Sequence, residues 1–159
     1  MSTLLRTVEF LCLSLWLGSD VFLSFVVAPG AFSILASRDA AGAIVGYSLT
    51  RMHLGGIVVG LALLLSRVVR TRTFASVANP AGLCVALMIA LTAISQYTLS
   101  ARMAALRVRM GSIQATAADS PLFAEFGRLH RISVTLESGV LLAGLAAIFL
   151  MVREVAANH

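Results

Sequence analysis

From Asn79 to Ala101 the chain carries no charged side chain. An α-helix needs about 20 apolar residues to cross the hydrocarbon of a bilayer, so this run is long enough by itself. Similar stretches precede and follow it, and four helices are predicted, over about 4–35, 40–69, 80–110 and 121–154. Each is longer than a membrane requires, which implies tilt or extension beyond the hydrocarbon. Composition agrees. Charged residues make up 12 % and hydrophobic ones 59 %, with a mean hydropathy of +0.96, whereas soluble domains carry about 25 % charged residues. So few charges cannot coat a water-facing surface.

Punctuation supports the same division. Asp39 offers an N-cap for the second helix, and Asn79-Pro80 and Ser120-Pro121 pair a cap with a first-turn proline. Pro29-Gly30 is expected to bend the first helix late. Short connections favour antiparallel neighbours, and no period-2 alternation persists. The fold class is all-α: one integral-membrane, four-helix up-down bundle spanning 1–159. The first helix is expected to be retained, because Pro29 follows Ala28 where a signal-peptide cleavage site would be wanted.

All 12 basic residues are arginine, giving a net charge of +5. No basic stripe with interleaved aromatics exists, so the excess reads as membrane anchoring and not as nucleic-acid binding. Arg67, Arg70 and Arg72 crowd one short loop. By the positive-inside rule that loop and both termini are expected in the cytoplasm, in the inner (plasma) membrane. Cys12 and Cys84 lie in apolar runs without metal spacing and are expected to pack as small hydrophobes.

Counting depth at 1.5 Å per residue brings out a pattern. Asp20 is 14 residues beyond Arg6 and His53 is 14 before Arg67, both about 21 Å from one face. Glu137 precedes Arg153 by 16 residues and Gln96 follows Asn79 by 17, placing them at about 24 and 25 Å. Each helix thus contributes one strongly polar side chain at nearly one level. Helical periodicity turns them inward: Gly42, Gly46, His53, Gly56 and Gly60 share one stripe, His130, Ser133 and Glu137 another, and Glu9, Trp16 and Asp20 a third.

Ionisable groups at such depth mark a pathway or a satisfied internal pair. Three readings stand side by side. The residues could pair for packing, Asp20 with Arg51 and Glu137 with His53 or Arg131. They could pass a proton or small cation. They could hold a cofactor. Asp20, His53, Glu137 and His130 offer the carboxylate and imidazole donors that suit a divalent Zn, Mn or Fe ion, whereas Met52, Met88 and Met103 are scattered. For haem b, His53 or His130 would be the axial ligand and Arg51 or Arg131 the propionate partner. His130 counts about 34 Å from the same face, too high for a simple bis-histidine site. Gln96 and Glu9 complete the polar set. The pairs Gly42/Gly46 and Gly56/Gly60 are GxxxG spacings, open to a second copy or a partner membrane subunit. The segment 101–129 begins "RMAALRVRM" and is expected to lie as an amphipathic helix at the membrane surface, or as a lid.

No GxSxG, P-loop, HExxH or dinucleotide glycine pattern occurs, so enzyme chemistry of those kinds has no support. The leading expectation is a non-enzymatic membrane protein whose interior polar layer binds or passes a small cation or metal ion, in transport or metal resistance. The alternatives are a haem-binding redox protein and an accessory subunit of a larger membrane complex.

The runs "WLGSDVFLSFVVAPGAF" (16–32), "RMHLGG" (51–56) and "FGRLHRISVTLESGVLLAGL" (126–145) resemble a family of small four-helix membrane proteins of unknown function that includes human transmembrane protein 205. That resemblance implies four helices and carries over His53 and His130. A looser similarity is to the copper-resistance protein D family and the HemJ-type membrane protoporphyrinogen oxidases, which implies metal-related chemistry. Those proteins place a histidine early on the first helix, where this chain has Glu9.

Overall fold

The computed structural model describes residues 2–157. Four long helices account for nearly all of them: α1 (Thr3–Ile34), α2 (Arg38–Thr71), α3 (Pro80–Met110) and α4 (Pro121–Ala156). Among the described residues there is no β-strand. At 31–36 residues each helix is about 47–54 Å long, well over the roughly 30 Å of hydrocarbon. The ends therefore project or the bundle tilts. Side chains such as Leu15, Phe25, Val58, Leu65, Leu142 and Phe149 are exposed on the outside, a surface only lipid can solvate.

The helices form a closed ring in chain order, α1 on α2, α2 on α3, α3 on α4 and α4 back on α1. One end carries the termini and the α2–α3 turn. The other, here the loop end, carries the α1–α2 and α3–α4 connections. The main core lies in the termini half, around Leu13, Trp16, Leu63, Met88, Val140 and Ala147. A smaller cluster of Leu99, Leu106 and Leu129 joins α3 to α4 towards the loop end.

Caps explain several boundaries. Asn79 Oδ1 accepts from Gly82 N at 2.8 Å, with Pro80 in the first turn, so the missing proline N–H costs nothing there. At α2 the cap is Ser37, whose Oγ accepts from Ala40 N, and not Asp39. The Asp39 carboxylate reaches across to the α3–α4 connection, accepting from Ser112 Oγ and from Ile113 N. It locks the two loop-end connections together. Ser120 makes no side-chain cap, leaving Pro121 alone to open α4. α2 ends with Arg72 in the left-handed region at φ 56°.

Two helices are locally widened. α1 is π-helical over Leu23–Val27, and α3 over Ser95–Ser100. Pro29 lacks the N–H that would reach the Phe25 carbonyl, and the widened turn just before it keeps the helix running to Ile34. The expected bend is thus a π-bulge. On α3 the Thr98 hydroxyl donates to the Ile94 carbonyl, competing with the regular ladder. Residues 101–110 are the last turns of α3 and residues 121–129 the first of α4, so the expected surface helix or lid is absent from the described residues. Arg107 is the physical reason: it turns inward to the Gly42 carbonyl at 2.7 Å, which keeps this stretch against the bundle.

Candidate functional site

α2 sets the centre of the site, because His53 lies on its glycine-rich inner stripe and is 0 % exposed. Its Nε2 is 2.6 Å from Glu137 Oε1 on α4, and its Nδ1 is 3.0 Å from Gln96 Oε1 on α3. Ser95, in the α3 π-bulge, donates to the same Glu137 oxygen at 3.4 Å and lies 3.4 Å from the Ser133 hydroxyl. α1 supplies Asp20, 2 % exposed and within electrostatic reach of Glu137 and His53. Ser24 donates to Asp20 Oδ1 at 3.4 Å. Of the four polar residues expected at one depth, the structure brings His53, Gln96 and Glu137 into contact and sets Asp20 nearby, hydrogen-bonded to Ser24 and to none of the three.

Hydrogen bookkeeping limits what this layer can be. Gln96 Oε1 is an acceptor, so the His53 Nδ1 facing it is a donor. The 2.6 Å contact on the other side then holds one proton between imidazole and carboxylate, as an imidazolium–carboxylate pair or an imidazole–carboxylic acid pair. Glu137 Oε2 and Asp20 Oδ2 are buried with no hydrogen-bond partner among the described residues. No arginine among them is within ion-pair distance of Asp20. Glu137 thus pairs with the imidazole, and Asp20 lies within electrostatic reach of both without an ion-pair partner among the described residues, in a low-dielectric interior where an uncompensated charge costs several kcal/mol.

Above this floor lies a half-enclosed cavity of about 1000 Å³. Asp20 and Glu137 line it from below, with Gly42, Gly46, Arg107, Phe126 and His130 further towards the loop end. The packed contact of α4 with α1 is confined to the Ser2–Phe22 part of α1; from Leu23 onward α1 packs on α2. The cavity therefore parts α1 from α4 in the loop half, with Phe25 and Phe32 on one side and Val134 and Leu141 on the other.

The termini half is closed by a second polar cluster that the depth count did not find. Arg67 is 1 % exposed. It donates through Nε to the Ser76 carbonyl and through Nη2 to both Glu154 oxygens, and its Nη1 is 3.6 Å from Glu9. Arg70 makes a two-pronged contact with Glu9 at 2.7 and 3.1 Å, and Asn79 donates to Glu154 at 3.0 Å. Glu9 accordingly belongs to this lock and not to the central layer. Its position 11 residues before Asp20 sets it about 16 Å lower. The signal in the sequence was Glu9 and Glu154 lying level with Arg67 and Arg70.

Other expected site residues fall elsewhere. Arg51 stacks on Tyr47, 5.2 Å from the ring centroid, and does not pair with Asp20. Arg131 is exposed and outside the cavity lining. His130 is also exposed but lines the cavity, about 10 Å along α4 from Glu137. Both ring nitrogens of His53 are engaged, so axial ligation of haem would break one of its contacts. Among the described residues no group of three or more His, Cys, Asp or Glu is arranged to hold a metal ion. The GxxxG glycines face inward too. A Cβ on Gly56 would sit 2.5 Å from Trp16 Nε1, and one on Gly60 2.5 Å from Trp16 Cζ3. Gly42 and Gly46 face the Arg107 guanidinium. These stripes seat the chain's own side chains, not a partner helix.

Fold and site together define a multi-pass, all-α membrane protein with a polar layer at the base of a half-enclosed cavity. The chain belongs to the family described as a domain of unknown function, DUF4149, whose pattern matches residues 11–112. That span contains Asp20, His53 and Gln96, and ends before Glu137 and His130. No curated protein and no solved structure matches the chain.

Proposed function

We propose that the layer of Asp20, His53, Gln96 and Glu137 is a cation-binding site, occupied by a proton at rest and exchanging it for a cation that enters through the cavity. The observation that carries this reading is that Asp20 and Glu137 both line the cavity floor, and that each keeps one carboxylate oxygen, Oδ2 and Oε2, shielded from the cavity and without a hydrogen-bond partner among the described residues. A cation there lowers the cost of burying two neighbouring carboxylates of which only Glu137 contacts the imidazole. The scarcity of additional ligands favours exchange over tight metal coordination. The Arg67 lock and the packed core below the site support entry from the cavity side and not from the termini end. We place both termini in the cytoplasm of the inner membrane with the exposed Arg72 turn, so that the cavity opens towards the opposite face.

The test is proton release from purified protein in weakly buffered detergent solution, read by a pH dye, on adding Na⁺, K⁺, Mg²⁺ and Zn²⁺ in turn. At least one of these ions should release protons saturably from the wild type, and Glu137→Gln and Asp20→Asn should each abolish the release. Silence of the wild type with all four ions, or equal release from the variants, would defeat the proposal.

A further inference from the structure

The cavity is far larger than an inorganic cation needs. At about 1000 Å³ it lies at the upper end of small-molecule sites, which run from about 300 to 1,000 Å³. Its walls are largely apolar, with Leu23, Phe25, Leu54, Met103, Phe126 and Leu141 among them. Its floor is lined by Asp20, a residue 2 % exposed, and by Glu137, each with one carboxylate oxygen buried and unpartnered among the described residues. A large apolar body with one positive charge matches both features.

The arginines bear on how such a molecule enters. Arg107 is tied to the Gly42 carbonyl and lies 5.5 Å from the Phe126 ring centroid, towards the loop end. Arg51 lies over Tyr47, and both arginines line the cavity. A hydrated cation coming from the loop-end water passes the Arg107 guanidinium first and Arg51, two residues along α2 from His53, only near the floor. A cation dissolved in the bilayer avoids them by passing between α1 and α4, where Phe25 and Phe32 face Val134 and Leu141 across the cavity. Those four side chains are apolar, and Phe25, Phe32 and Val134 are largely exposed.

We propose that the cavity binds a hydrophobic organic cation taken laterally from the bilayer, its charge against Asp20 and Glu137 and its body against the apolar walls. This inference rests on the cation-site reading above and names the class of ligand.

The probe is tetraphenylphosphonium, with tetraphenylborate as a control of the same shape and opposite charge, on the full chain in detergent or nanodiscs. Calorimetry should show saturable binding of tetraphenylphosphonium. The affinity should fall at least tenfold in Asp20→Asn and in Glu137→Gln, and tetraphenylborate should not compete. Leu141→Trp, which fills the cavity and leaves the acids in place, should lose tetraphenylphosphonium binding; Leu54→Trp serves if that variant does not fold. No saturable binding, undiminished affinity in both carboxylate variants, or equal binding of tetraphenylborate overturns the inference. So does a co-purifying phospholipid that tetraphenylphosphonium fails to displace. Proton release without tetraphenylphosphonium binding removes this inference alone. Carboxylate-dependent tetraphenylphosphonium binding without release by inorganic ions removes the earlier reading and leaves this one standing.

Discussion

Replacing Gly56 by valine separates two uses of a GxxxG stripe. If the stripe seats Trp16, the substitution damages the fold; if it seats a partner helix, it damages association. Ideal Cβ placement puts the first new carbon 2.5, 2.6 and 3.1 Å from three atoms of the Trp16 indole, against a comfortable separation of about 3.5–4.0 Å. The ring cannot slide along the stripe, because Gly60 meets its other edge. Overpacking typically costs about 1–3 kcal/mol, and a rigid ring with an overlap near 1 Å belongs at the upper end. The better helix propensity of valine returns only a few tenths of a kcal/mol. The net loss should be about 2–3 kcal/mol. Trp16→Ala alone removes a side chain that is 2 % exposed and should cost about 3–5 kcal/mol. With the indole gone the valine has room, so the double variant should be no less stable than Trp16→Ala. Its favourable coupling should lie within the roughly 0.5–3 kcal/mol seen for touching residues. The assay is reversible unfolding in mixed micelles for all four members of the cycle, with FRET between labelled chains in vesicles to read association. Additive losses, or a Gly56→Val variant of wild-type stability that changes FRET, would refute the seating of Trp16.

Two further outcomes follow from the termini half. Arg67→Met should destabilise the bundle by less than the roughly 3–5 kcal/mol of a wholly orphaned buried charge, because it removes the buried guanidinium shared by Glu9 and Glu154 while Glu9 keeps Arg70 and Glu154 keeps Asn79. Adding Glu9→Gln and Glu154→Gln should restore most of the loss in the same unfolding assay, and a triple variant no better than the single one contradicts the lock. A tag at either terminus should be protected from protease in intact spheroplasts, whereas a tag inserted at Ala117 in the α3–α4 connection should be cut; the reverse pattern overturns the orientation.

The central layer was legible because depth and helical face follow from counting alone. Asp20, His53, Gln96 and Glu137 could be set at one level before any contact was known, since antiparallel helices rise by a fixed step. Counting cannot choose among partners within that level. Glu137 went to His53, while Arg51, two residues away on the same helix, turned to Tyr47. Glu9 shares a helical stripe with Asp20, yet its level is that of Arg70 and Arg67.

The sequence by itself determined the solvent, the number of helices and the inward stripes. Each of these depends on how many charges the chain has and how they are spaced. Tertiary structure alone decided what fills the stripes and what the polar layer faces. The glycines could have received another chain, but Trp16 and Arg107 lie against them, because side-chain reach across helices is not encoded in spacing. The cavity likewise has no motif. It exists because α1, widened at Leu23–Val27, follows α2 and not α4 beyond Phe22, leaving two buried carboxylates beneath a space that the chain's own side chains do not fill.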